Sequence, residues 1–162
     1  MIKKRVKVIN VILLVLVLLF FSVGTASAEG EDIPRPTPVS NGDEVMDTET
    51  GLVWQRCTLG KTGSYCSGGS ANAYDWQQAL QAASAPWRLP NINELRSIVE
   101  EKCYKPAINL SIFPETVSSS YWSASPHADY LDHAWTIYFS RGYSDANEKS
   151  ENKHVRLVRG GQ

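Results

Sequence analysis

Six side chains near the C-terminus carry the chemistry that most needs weighing: Lys149, Lys153, His154, Arg156 and Arg159, with Arg141 across the preceding turn. Strand alternation places His154 and Arg156 on one face, with Arg159 within reach. Arginine forks suit sulfate, carboxylate or phosphate groups bidentately, so this cluster is the leading candidate for binding an anionic ligand. The competing reading is structural: Arg156 and Arg159 would pair with acidic residues such as Glu94 or Asp47, the common fate of a charge in a folded domain. Glu148 and Glu151 also dilute the cluster.

Other chemistry is thinner. His127 and His133 flank Asp129 and Asp132, but their spacing matches no familiar ligand set, and a solvated loop is the ordinary reading. No metal and no cofactor is expected. Ser123 and Ser125 lie near His127, yet no Gly-x-Ser-x-Gly elbow frames either, so a catalytic serine is not expected. The tryptophans Trp54, Trp76, Trp87, Trp122 and Trp135 could offer stacking faces to a sugar; their positions favour core packing for at least three.

Three cysteines follow the N-terminal segment. A bridge from Cys57 to Cys66 would close a loop holding Gly60, Gly63 and Ser64, and is the first choice. Pairing of Cys57 with Cys103 stays open. The CxxC spacing of zinc or thioredoxin-like sites is absent.

Local patterns indicate what must position these groups. Val45-Met46 and Gly51 to Gln55 flank a polar tetrad, Asp47 to Thr50, and predict a hairpin. Trp76, Ala79, Leu80 and Ala83 share a face and predict a helix over about 73–83. The run Trp87-Arg88-Leu89-Pro90-Asn91-Ile92-Asn93-Glu94-Leu95 is sharper. Pro90 disfavours helix at Leu89, Asn91 can cap, and Glu94 stands where a capping box wants it, so a second helix begins near Ile92. Its buried face would carry Ile92, Leu95, Ile98 and Val99. Tyr121 to Ala124, Ala134 to Phe139 and His154 to Val158 read as strands, with Gly142 to Ser150 as a polar turn and Lys105 to Ser120 as a long loop. Two helices beside an antiparallel, aromatic-rich sheet make an α+β domain.

The ends set the context. Residues 1–28 read as a secretory signal, with basic Lys3, Lys4, Arg5 and Lys7, an apolar run from Val11 to Phe21, and Ala26-Ser27-Ala28 for cleavage. That run is eleven residues, short of the ~18 to 20 of a spanning helix, so membrane contact is expected only before cleavage. The 162-residue chain has a formal charge of −1; losing four of its sixteen basic residues leaves twelve against seventeen acidic, or −5. A nucleic-acid partner is therefore not expected. Residues 29–43, with Pro34, Pro36 and Pro38, suit a linker that adds nothing to the core, and residues 44–162 suffice for one domain.

GLVWQRC at 51–57, WRLPNINELRSIVEEKCYKPAIN at 87–109, IFP at 112–114, YWSASP at 121–126 and VRLVRGGQ at 155–162 together resemble one bacterial family. It is the family named for the C-terminal domain of the Legionella collagen-like protein. The resemblance implies a fold related to C-type lectins and formylglycine-generating enzymes, with two helices packed on an irregular antiparallel sheet. It also implies an exported periplasmic or surface module. The family's named member is a trimeric adhesin that binds sulfated glycosaminoglycans, but this chain lacks the collagen-like repeat behind that stalk. The expectation is an exported, non-catalytic recognition module whose partner is an anionic glycan or an envelope or surface protein. A structural subunit of an envelope or surface complex is the first alternative. An oxidoreductase using Cys57 and Cys66 is the second.

Overall fold

The computed structural model describes residues 37–38 and 42–161. The expected signal segment, residues 1–28, and most of the expected linker lie outside the described residues, which all belong to the unit that begins at Pro34.

The opening hairpin forms as its sequence predicts. Strands β2 (Glu44–Met46) and β3 (Val53–Gln55) pair antiparallel, with buried Val45 opposite buried Trp54. The Asp47 carboxylate organises the turn by accepting the amide of Glu49 at 2.9 Å and the hydroxyl of Thr50 at 2.7 Å. Gly51, at φ 70°, supplies the left-handed residue that closes it. The linker is not wholly separate: β1 (Thr37–Pro38) lies along β2 as an edge strand, where a residue without an N–H is tolerated.

Next come the two-residue strands β4 (Lys61–Thr62) and β5 (Gly68–Gly69), which pair with each other, and β6 (Ala73–Tyr74). The first helix is shorter than its pattern suggests. α1 spans Trp76–Gln81, because Asp75 caps it by accepting the Gln78 amide at 2.8 Å and the preceding pair is held in β6. α2 spans Ile92–Ser97 with the expected box: Asn91 Oδ1 accepts the Glu94 amide at 2.9 Å, and Glu94 Oε2 accepts the Asn91 amide at 2.8 Å.

The remaining strands are β7 (Ser120–Pro126), β8 (His133–Tyr138), β9 (Tyr143–Glu148), β10 (Lys153–His154) and β11 (Val158–Arg159). They complete one sheet in the order β1-β2-β3-β11 and a second in the order β6-β10-β7-β8-β9. Within the second, β10 runs parallel to β7 and the other neighbours are antiparallel. β9 corrects the sequence reading, which made this segment a turn. All six of its residues pair with β8, and it is polar because it is an edge strand with one neighbour. The true turn is tighter. Gly142, at φ 79°, closes it against the 99–107 segment, where an added Cβ would stand 2.8 Å from Val99 Cγ1.

The second sheet has a core on each face. Tyr121, Ile137 and Phe139 pack with Trp54, Leu95 and Phe113, while Trp122 and Ala134 pack with Ala79, Leu89 and Leu157. Each fully buried aromatic contributes about 2–3 kcal/mol of transfer free energy. The architecture is α+β, with more strand than helix. Among the described residues no helix is long and apolar enough to cross a membrane.

Candidate functional site

The structure does not gather the basic cluster into one patch. Arg156 is fully buried. Its Nη1 donates to the carbonyls of Gln55 and Arg56, its Nη2 donates to Thr116 Oγ1 at 2.8 Å, and the guanidinium lies 4.7 Å from the centroid of Phe113. Burial lowers its pKa to about 10, against the opposing influence of Tyr121. Arg159 pairs with Glu44 at 2.6 Å and covers the Trp87 ring at 5.3 Å. Lys153 pairs with Glu151 at 2.8 Å. His154 is hydrogen-bonded to the carbonyl of Asn72 at 3.1 Å, and burial holds its pKa below the ordinary histidine value despite that bond. Arg141 stands apart, in the β8–β9 turn next to Tyr104. Alternation did place His154 and Arg156 on one side, but that side leads into the core. Arg156 is therefore a structural residue, and no surface ligand meets its guanidinium.

Cys57 and Cys66 form a disulfide, and Cys103 is free and half-buried. An open cleft of about 490 Å³ beside the bridge is lined by Asp43, Glu44, Lys61 and Trp87. Its charges are already engaged, Glu44 by Arg159 and Lys61 by Glu115 at 3.2 Å.

A more distinctive surface lies between β7 and β8. His127 Nδ1 accepts the amides of Asp129 and Tyr130, both at 3.2 Å, which folds residues 127–132 into a closed turn. The His127 ring lies 5.0 Å from the Trp135 ring and 4.9 Å from the Tyr130 ring, tilted to both. His133 adds a ring 5.5 Å from Tyr130 and binds Asp132 through Nδ1 at 2.7 Å, a contact that lowers the Asp132 pKa. From β9's end, the Lys149 amide donates to Asp132 O at 2.7 Å and its Nζ to Leu131 O at 2.6 Å, with the ammonium 4.6 Å over the Trp76 ring. Backbone and rings are thus fixed while the tip stays bare: Leu131 is 84% exposed and Tyr130 60%. Such a rigid aromatic surface suits recognition, because little conformational freedom is left to lose on contact.

The two histidines are thus spent on turn geometry and a single carboxylate. Among the described residues no group of three His, Cys, Asp or Glu side chains is placed to hold a metal ion.

Residues 43–159 match the model of the Lcl C-terminal domain. The chain belongs to that family. No curated protein matches it. The Lcl C-terminal domain match spans the Arg156 cradle, the capped α2 and the 127–135 turn alike. Within this Lcl C-terminal domain, four tryptophans belong to or pack on the two cores, as the sequence favours; Trp135 instead supports His127. The sequence of residues 127–135 carries the aromatic signal in Tyr130 and Trp135, but nothing local to it shows that the turn is pinned with Tyr130 and Leu131 outward.

Proposed function

We propose that this chain is an exported, non-catalytic recognition module of C-type-lectin-like type that engages a protein partner at the cell envelope or surface through the 127–135 knob. One observation carries the reading: Tyr130 and Leu131 project from a turn whose backbone is pinned by His127 and Lys149. A bare leucine beside an exposed tyrosine fits insertion into a partner's apolar pocket. The family, the α+β architecture and the disulfide accord with export, since disulfides persist in oxidising compartments. The exposed carboxylates of Asp129, Asp132 and Glu148, the last paired in register with His133, outnumber the Lys149 ammonium at the knob, which weighs against a sulfated glycan as its ligand. Ser123 Oγ donates to Trp135 O at 2.7 Å and Ser125 Oγ accepts the Ile92 amide at 3.0 Å, so both hydroxyls serve the fold.

The test is binding of the labelled, purified protein to isolated bacterial envelopes before and after protease treatment. Saturable binding that protease abolishes, and that a folded Tyr130→Ala/Leu131→Ser variant lacks, is the expected result. Binding that survives protease, or that the variant retains, overturns the reading.

A further inference from the structure

The hairpin that carries the knob has a different surface at its other end. Lys105 donates its amide to Ser140 O at 3.2 Å, tying the 103–106 loop to the β8–β9 turn. There Lys105 Nζ lies 5.1 Å from the centroid of the Tyr104 ring. The positive charges of Lys105 first and of Arg141 second lower the Tyr104 phenol's pKa. Beside them runs a groove of about 340 Å³, mostly apolar, whose lining includes Tyr104, Pro106, Ile108 and Leu110. Tyr104 is 61% exposed and Leu110 46%. Among the described residues, neither Lys105 nor Arg141 is paired with a carboxylate.

Knob and groove are complementary in size and charge. The knob is apolar at its exposed tip and carries Asp129, Asp132 and Glu148 against the single ammonium of Lys149; the groove is mostly apolar and is lined on one side by Lys105, with Arg141 beyond Tyr104. A leucine and part of a tyrosine ring are of a size to fill about 340 Å³. They cannot meet within one molecule, because β8 separates them by five residue steps, roughly 17 Å at strand rise.

We infer that the groove at Tyr104, Lys105 and Leu110 receives the Tyr130–Leu131 knob of a second copy of this chain, joining copies head to tail. The inference rests on the reading of the knob as a protein-contact surface and names its partner. A heterologous contact of this kind leaves one knob and one groove free at the ends of each assembly, so it propagates until it closes into a ring or extends as a filament. The rim charges speed and orient the encounter, and the apolar insertion holds it.

Sedimentation velocity of the purified protein over a range of concentrations tests the idea. The wild type should show concentration-dependent assemblies that weaken as salt rises. Leu131→Asp disables the knob, and Lys105→Glu/Leu110→Asp disables the groove; each alone should be monomeric with an unchanged near-ultraviolet spectrum. Mixed one to one, the variants should form a heterodimer and nothing larger, since each retains the half the other lost. A wild type that stays monomeric at every concentration, or variants that fail to complement, overturns the inference. Knob-dependent binding to envelopes by a monomeric wild type would leave the protein-partner reading standing and sink only this extension of it.

Discussion

Arg156 donates to Thr116 Oγ1 at 2.8 Å deep inside the domain, with no carboxylate among the partners that receive its guanidinium. Carbonyls from the end of β3 and the residue beyond it, a threonine from the 105–119 loop and the ring of Phe113 share the charge instead. One side chain thus ties three otherwise separate segments.

Arg156→Lys keeps a cation but cannot span that fork, leaving buried acceptors without donors. The expected cost is about 3 kcal/mol or more, read as a lower urea midpoint with an unchanged slope. A cost near zero would mean that the cradle is incidental.

Glu94 closes the capping box of α2 and holds Arg88 through two contacts of 2.7 Å. Burial alone would raise its pKa, but the Arg88 hydrogen bond, the Asn91 amide and the Arg88 charge together hold it below the ordinary value of 4.5. A depressed carboxylate stabilises the fold fully above 4.5, and that contribution is lost as pH falls through the lower folded value. Glu94→Gln should cost about 1–2 kcal/mol at neutral pH and flatten the stability profile in that acid window.

His154 titrates with the opposite consequence for its charged form. Its folded pKa lies below 6.5, so the unfolded chain binds the proton more readily and stability declines as pH drops from that value toward the folded one. Thermal midpoints between neutral pH and that window should therefore fall in the wild type and fall less in His154→Gln. Equal declines would place the sensitivity elsewhere.

The disulfide closes a loop with a sequence separation of 9. Loop-closure entropy for that length predicts a loss of roughly 2–3 kcal/mol in Cys57→Ser/Cys66→Ser, measured by denaturant unfolding. A variant as stable as the wild type would show that the 57–66 segment is ordered without it.

Several of these features were legible in the sequence because their causes are local. Pro90, Asn91 and Glu94 determine where α2 starts within five residues, and it starts there. Asp47 and Gly51 do the same for the first hairpin. β9 was not legible: Tyr143–Glu148 is polar because nothing lies beyond that edge, and its strand character comes from β8. Arg156 shows the limit of alternation, which assigns a side chain to one face of a strand without saying that the face is interior. The knob needed long-range information too, since Lys149, eighteen residues away, fixes Leu131.

His127→Ala should release the amides of Asp129 and Tyr130 while barely changing global stability, because the turn lies outside both cores. Hydrogen exchange at those two amides should quicken by roughly tenfold or more. His127→Asn restores an acceptor at the same position and should recover much of the protection. Equal exchange in wild type and His127→Ala would mean that the ring does not organise the turn.

Hydrogen–deuterium exchange of the envelope-bound protein shows whether the 127–135 knob is the contact surface. Binding should protect the 127–135 segment and leave α1 and α2 unchanged. Protection confined to other segments, with 127–135 exchanging as in the free protein, would contradict it.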